Sequence, residues 1–350
     1  MSLDRLSIRG VRNLEAVELE PADGMNWLFG PNGAGKTSVL EAIYLLARGR
    51  SFRSTRVARI IQYGSNQLSV VVRRSDTGKR LGVERNADGW RGRIDGRDSQ
   101  RISEFAAWLP LVLVEPGSHA LIEGGPEQRR RFVDWQLFHV EPDYLGTWQR
   151  FARALRQRNA ALKSVAPGAV LDALEPLLID RAEEMTRARA LLAERLQVTL
   201  GRIEEELAFR LPGPLTLRYR PGYRGDDLAK LLREGRSRDR ERGFTRLGPH
   251  RADLEIRCNE QPSAEMSRGQ QKLAAVALLL AQFRLLQEGQ SLAPILLVDD
   301  PVSELDRPHL ERLLSWLCAR TTQCWVTSTE RVDVPARWFH VEQGRVSPVI

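Results

Sequence analysis

Apolar positions change spacing several times along the chain, and each change marks an element. Near the start, Leu6 and Ile8 alternate with polar neighbours, as do Ala16, Val17 and Leu19. Period two predicts half-buried strands. Met25 to Phe29 is a largely apolar run ending at Gly30, which fits a buried strand. Val39, Leu40, Ile43 and Leu46 then recur at helical spacing and predict a helix over roughly Lys36 to Arg48. Short strand candidates follow at Ile60–Ile61, Leu68–Arg73, Arg80–Val83 and Gly92–Ile94. Turn residues stand between them at Asp76-Thr77-Gly78, Asp88-Gly89 and Asp95-Gly96. Leu111–Val114 reads as one more buried strand.

From Pro126 the spacing becomes helical. Glu127–Leu162 and Val170–Arg210 predict two long helical segments broken at Ala166-Pro167-Gly168. A strand candidate (Leu215–Tyr219) and a short helix (Asp226–Glu234) come next, then a charged stretch, Arg236–Arg242, expected to be mobile. The α/β pattern returns with a strand at Ala252–Ile256, an apolar helix over Gly269–Gln287, a buried strand at Pro294–Val298, a helix over Leu310–Arg320 and a strand at Gln323–Thr327. The expected organisation is an α/β module in two halves, 1–125 and 244–350, interrupted by a helical lobe at 126–243.

The junction after the first buried strand carries the chemistry. Gly30-Pro31-Asn32-Gly33-Ala34-Gly35-Lys36-Thr37 is a Gly-x4-Gly-Lys-Thr phosphate-binding loop set between strand and helix. Its glycines let backbone N–H groups wrap an anion, and the helix adds its positive end. Lys36 is expected at the β- and γ-phosphates of ATP, and Thr37 at Mg²⁺. The second half supplies a partner. Ile295-Leu296-Leu297-Val298-Asp299-Asp300 has the form of a Walker B strand, with carboxylates at the end where α/β sheets bind ligands. Asp299 is a candidate for Mg²⁺, and Asp300 for orienting or activating a water.

Composition adds a net charge of +8 among 350 residues, with lysine at only five positions and arginine making up the rest of the 53 basic residues. A basic surface favours polyanions. Candidate DNA-backbone contacts are Arg129, Arg130, Arg131, Arg153, Arg156 and Arg158, with Arg236–Arg242 as a further cluster. Arg153, Arg156 and Lys163 could share one helix stripe. The three cysteines form no Cys-x-x-Cys pair, which argues against a zinc site or a disulfide framework. The longest apolar run, Leu273–Ala281, is too short to span a bilayer, and Met1–Arg5 lacks the build of a signal peptide, so a cytoplasmic protein is expected.

Further motifs carry a family resemblance. Ser267-Arg268-Gly269-Gln270 resembles the signature motif of ABC-type ATPases, and Ser303-Glu304-Leu305-Asp306 their D-loop. Ile8–Leu14 is similar to the opening of SMC-like heads. Gly124-Gly125-Pro126, Arg129–Asp134, Gln157–Leu162 and Gly248–Leu254 resemble the bacterial RecF family along essentially the whole chain. The resemblance implies an ABC-type ATPase head with a P-loop sheet and a β-rich subdomain, interrupted by a helical lobe. It also implies an ATP-driven homodimer on DNA, in which Ser267, Gly269, Gln270 and Asp306 serve nucleotide held by a second copy, with Arg12 and Asn13 near the nucleotide.

The implied role is recombinational repair, replication restart and SOS induction, helping RecA load at gaps with RecO and RecR. Departures from the ABC pattern imply slow hydrolysis. Leu111–Gly117 has no glutamine, Thr327-Ser328-Thr329-Glu330 replaces the switch histidine, and Asp300 is one methylene shorter than the usual glutamate. His250, in Gly-Pro-His-Arg, is expected to pack or hydrogen-bond near the site. Two other readings stay open: a different coil-less SMC-like ATPase, and a scaffold that nucleotide only stabilises.

Overall fold

The computed structural model describes residues 2–54, 56–225, 227–289, 293–320 and 322–349. The chain forms two compact units. One comprises Met1–Ser118, Ile203–Phe209 and Ala275–Ile350, and the other His119–Arg202 and Arg210–Ala274.

The first unit holds two six-stranded sheets. β1 (Leu3–Val11), β2 (Leu14–Leu19), β4 (Gln67–Arg74), β5 (Arg80–Asn86), β6 (Trp90–Ile94) and β7 (Arg97–Ser99) form an antiparallel sheet in the order β2-β1-β4-β5-β6-β7. The alternation sets its register. Leu6 lies opposite Leu19, Ile8 opposite Val17, and Val70 opposite both Ile8 and Val83, all turned into the core. The second sheet contains β3 (Met25–Phe29), β8 (Leu111–Val114), β12 (Ile295–Val298), β13 (Cys324–Ser328), β14 (Arg337–Glu342) and β15 (Arg345–Pro348), ordered β15-β14-β3-β13-β12-β8. Its five strands from β14 to β8 are parallel. β12 and β13 are buried throughout, which explains their unbroken apolar runs. Trp27 stacks on Trp338 and Trp325 on Phe339 within the sheet.

Helix α1 (Lys36–Arg48) has the bounds its spacing predicts and is almost wholly buried. α2 (Ile102–Trp108), with Phe105 fully buried, was not foreseen, nor were β7, β14 and β15. Ile60–Ile61 is no strand. Ile61 forms only an isolated bridge to Val11. α9 (Pro301–Glu304) and α10 (Arg307–Cys318) follow β12.

The second unit opens with a helical turn, α3 (Ala120–Glu123), then α4 (Pro126–Val140), α5 (Tyr144–Lys163) and most of α6 (Gly168–Leu207). The first long helical segment is therefore two helices. Glu141-Pro142-Asp143 interrupts it, because proline disfavours helix at the residue before it. Pro176 lies inside α6. β9 (Leu215–Arg220), β10 (Asp253–Cys258) and β11 (Gln261–Pro262) form a small antiparallel sheet. Its pairing places 244–274, with the signature stretch that opens α8 (Arg268–Gly289), in this unit although the motif order associates it with the Walker B strand.

α7 (Leu228–Arg242) corrects the expectation of a mobile charged stretch. Asp227 caps its start by accepting from the Lys230 N–H, and Gly243 ends it in the left-handed region. Its charges are engaged. Arg236 pairs with Asp172 and Glu175, Arg240 donates to the Ala166 carbonyl, and Asp239 is buried. Asp226, assigned from sequence to the start of this helix, lies outside the described residues. Among the described residues, no helix is long and apolar enough to cross a membrane.

Candidate nucleotide site

β3 delivers the chain into the phosphate loop, and α1 leaves it. Gly30 cannot be replaced here. Its φ is +150°, and a Cβ would lie 2.0 Å from the Val341 carbonyl oxygen on β14. Gly33 and Gly35 also have positive φ, 78° and 119°. The Lys36 ammonium donates to the Gly30 and Pro31 carbonyls at 2.7 and 2.9 Å, which holds it over the loop. Burial lowers its pKa, opposed by Asp300 and Asp299. Asn13 braces the loop by donating to the Gly33 and Ala34 carbonyls at 3.1 and 2.9 Å. Arg12 instead turns to α1, where its guanidinium forks onto Glu41 at 2.7 and 2.6 Å. Glu41 is fully buried and also accepts from Ser51.

The other half of the site comes from the parallel sheet. β12 lies between β8 and β13, and the Asp299 N–H donates to the Val114 carbonyl at 2.8 Å. Asp299 Oδ1 accepts from the Thr37 hydroxyl at 2.9 Å and the Thr327 hydroxyl at 2.7 Å. Thr37 and Asp299 are 262 positions apart in sequence, and the fold brings them into direct contact. Burial raises the Asp299 pKa, and the two hydroxyls oppose the shift. The Thr327 hydroxyl also accepts from the Asp300 N–H at 2.8 Å, so one side chain holds both carboxylate positions. Asp300 has φ 49° and ψ 51°, an uncommon conformation for a non-glycine residue. Its Oδ1 is buried and has no hydrogen-bond partner among the described residues.

Sequence reasoning treated Thr327 only as a replacement for a missing histidine. Its signal was a hydroxyl at the end of a buried strand that pairs with the Walker B strand. At the missing-glutamine position, Glu115 follows β8, and its carboxylate accepts from the Gly117 N–H.

The hydroxyl and carboxylate oxygens of Thr37 and Asp299 suit a hard divalent cation that shares ligands with phosphate. The unpartnered Asp300 oxygen fits a nearby polar group.

The signature stretch belongs to the second compact unit. Ser267 and Gln270 form a capping box at the start of α8. The Ser267 N–H donates to Gln270 Oε1 at 3.0 Å, and the Gln270 N–H to Ser267 Oγ at 3.4 Å. Gly269 is exposed, and a Cβ there would meet open space. In the D-loop, Asp306 caps α10 by accepting from the His309 N–H at 3.0 Å, and its carboxylate also contacts His309 Nδ1.

The arginine candidates separate. Arg158 is a correction, because it is completely buried. It donates to Glu175 at 3.0 Å, Asp239 at 2.9 Å and Thr245 at 2.8 Å, so it holds α5, α6 and α7 together and has no surface to offer DNA. Arg129 is largely sequestered by a two-pronged bond to Asp253. Arg130 donates to the Ala252 carbonyl. Arg131 is exposed but paired with Glu127, whereas Arg153 and Arg156 are exposed on α5.

His250 does hydrogen-bond within its unit. Nε2 lies 2.9 Å from the Thr245 carbonyl, and Nδ1 is buried without a partner among the described residues. Burial lowers its pKa, so the neutral ring is the folded form. The stability it contributes is complete above the unfolded value of about 6.5 and is lost as pH falls from there through the folded value. Urea unfolding from pH 7.5 to 5 should therefore show a steeper loss for the wild type than for His250→Gln. Parallel curves would refute this.

A phosphate loop, a Walker B strand, an antiparallel companion sheet and a helical insertion together define an ABC-type ATPase head of the SMC-like class. The family described as "RecF/RecN/SMC N terminal domain" matches residues 2–337. With that match and full-length relatives, the chain belongs to the RecF family. It is 43% identical to the DNA replication and repair protein RecF of Xanthomonas axonopodis pv. citri, with 99% of this chain and 98% of the relative covered. It is 41% identical to the RecF protein of Stenotrophomonas maltophilia, with 100% of each covered. A solved structure described as the recombination mediator protein RecF with ATP superposes with a TM-score of 0.88 at 25% identity, covering 100% of this chain and 98% of that one. An Smc head domain from Pyrococcus furiosus shares the fold, with a TM-score of 0.61 at 17% identity, covering 99% and 96%.

Proposed function

We propose that this protein is an ATP-dependent DNA-binding switch of recombinational DNA repair. ATP binds at the 30–37 loop, with Lys36 on the phosphates and Thr37 and Asp299 as the residues that would hold Mg²⁺. Two copies associate through it, each offering Ser267, Gly269, Gln270 and Asp306 to the nucleotide of the other. Asp300 positions the attacking water, and hydrolysis releases the pair. Asn13 braces the loop, and Arg12 holds Glu41 on the helix that follows it. In functional terms 1–125 and 244–350 act as the ATPase lobe, and 126–243 as the helical lobe.

The observation that carries this reading is the Thr37–Asp299 hydrogen bond, which joins the two halves of a hydrolytic phosphate site. RecF relatives named for DNA replication and repair support the DNA role, and so does the net charge of +8. On this reading the protein works in the cytoplasm, in replication restart and SOS induction, with RecR, RecO and RecA as its pathway partners.

Turnover should be slow, below about 1 per second, and DNA should raise it. ATP turnover with and without gapped DNA, together with light scattering for ATP-dependent dimers, tests this in the wild type and in Lys36→Arg. A wild type that neither hydrolyses ATP nor dimerises with it would overturn the proposal. DNA affinity should fall with salt, and Arg153→Ala with Arg156→Ala should reduce the slope of log affinity against log salt by roughly 1–2. An unchanged slope removes these two residues from the interface.

A further inference from the structure

Four exposed large apolar residues of α6 repeat every seventh position: Val170 (40% exposed), Leu177 (47%), Leu191 (54%) and Val198 (59%). Among the described residues only eight large apolar side chains are exposed, and these are four of them. A seven-residue spacing keeps side chains in one row along a helix, as in the seam of a coiled coil. The row flanks the helix's inward face, where Leu171, Leu178, Met185, Leu192 and Thr199 are buried. Glu184 fills the middle position. Read in order, the row is Val, Leu, Glu, Leu, Val, the same in both directions.

We propose that this row is a seam at which two copies of the chain pair, α6 against α6, antiparallel about a two-fold axis at Glu184. The symmetry of the row is what such an isologous contact requires, because each surface must complement itself. Leu177 then meets Leu191 of the second copy, and Val170 meets Val198.

The charges agree. Asp180 and Arg187 are both exposed, flank Glu184, and make no hydrogen bond or ion pair among the described residues. The axis brings Asp180 of each copy to within one residue, about 1.5 Å along the helix, of the level of Arg187 of the other, near enough for two reciprocal pairs. Glu184 does not repel its counterpart, because Arg181 donates to it at 2.6 Å and Thr147 at 2.7 Å. A parallel pairing would instead set Asp180 against Asp180 and Arg187 against Arg187.

The row is about 42 Å long at 1.5 Å per residue. A single helix pair of that length buries on the order of 1,000 Å², at the lower edge of specific interfaces. Such a contact is weak, with a Kd of about 10 µM. It needs no nucleotide, so it is separate from the ATP-driven association proposed above.

The experiment uses the full chain without nucleotide, in a Cys318→Ser background. Val170→Cys and Val198→Cys proteins are prepared separately, then oxidised alone and mixed. The mixture should form a disulfide-linked 170–198 dimer, and each protein alone should form little. Homodimers from each variant alone would mean parallel pairing and overturn the proposal.

Sedimentation gives the second reading. Asp180→Arg should weaken nucleotide-free association about tenfold, and Asp180→Arg with Arg187→Asp should restore it to within about threefold. Circular dichroism checks that the helices persist. A wild type that stays monomeric at about 100 µM, a tenfold excess over that Kd, overturns the proposal. So does a nucleotide-free dimer indifferent to Asp180→Arg. ATP-driven dimerisation, measured in parallel with Asp180→Arg, should be retained, so the failure of one proposal is distinguishable from that of the other.

Discussion

Arg158→Leu should destabilise the helical unit by about 3 kcal/mol, the largest stability change expected from any arginine candidate for DNA binding. The guanidinium is the hub of a buried ion-pair network. Glu175 and Asp239 are both almost fully buried and both bind it, and Thr245 accepts a third hydrogen bond. A buried pair is often no more stabilising than a well-packed apolar substitute. Deleting one member is different, because it leaves charge behind without its counterion. Arg236 still reaches Glu175, and Arg246 still reaches Asp239. Those contacts keep the cost near the lower end of the usual 3–5 kcal/mol.

In thermal unfolding the change should appear as a fall in Tm of about 6–12 °C for the helical unit. Arg158→Lys should recover only part of the loss, because an ammonium cannot fork between two carboxylates on different helices. Arg153→Ala, five residues earlier on the same helix and exposed, should stay within about 0.5 kcal/mol of the wild type. Equal stabilities for Arg158→Leu and Arg153→Ala would show that the network is not structural.

The contrast between these two arginines shows where the sequence was readable and where it was not. β3, β8, β12 and β13 of the parallel sheet were legible because burial on both faces leaves an unbroken apolar run, as in Ile295–Val298. The phosphate loop was legible because its backbone path admits so few residues. Gly30 meets the Val341 carbonyl too closely for any side chain.

Arg158 was misread because arginine has the same chemistry in a core and on a surface. Only the fold shows that carboxylates from α6 and α7 converge on it. The same three-body packing hid α7, whose charged residues look solvated until Asp172, Glu175 and the Ala166 carbonyl are placed beside them. β14 and β15 were missed because they follow a loop without helical or alternating pattern, and β14 gains its order by pairing with β3 and β15 by pairing with β14. Thr327 escaped because its role depends on strand adjacency, and β13 lies beside β12 only through a long crossover.

Thr327→Val should lower ATP turnover by about 10²-fold while leaving ATP affinity within a few-fold of the wild type. The substitution is nearly isosteric and the site is fully buried, so packing is preserved and the hydroxyl alone is removed. Two contacts disappear. Asp299 Oδ1 loses a donor at 2.7 Å, and the Asp300 N–H loses its acceptor at 2.8 Å. The first change removes a hydroxyl that favours the carboxylate form of Asp299, so its already raised pKa moves up further. The second frees the backbone of a residue held at φ 49°, a conformation that persists only while its surroundings enforce it.

Asp300 then points its unpartnered Oδ1 less reliably, and a misplacement of about 1 Å at a water-orienting group costs about 10²-fold in rate. Nucleotide affinity should change little, because Lys36, Thr37 and the loop glycines are untouched. Thr327→Ser keeps the hydroxyl and should stay within about threefold of the wild type, with the serine rotamer the main difference. The check is steady-state turnover at saturating DNA together with a fluorescent-nucleotide titration for all three proteins. A valine variant that turns over like the wild type, or one that loses nucleotide affinity in proportion to rate, would place Thr327 outside the positioning of Asp299 and Asp300.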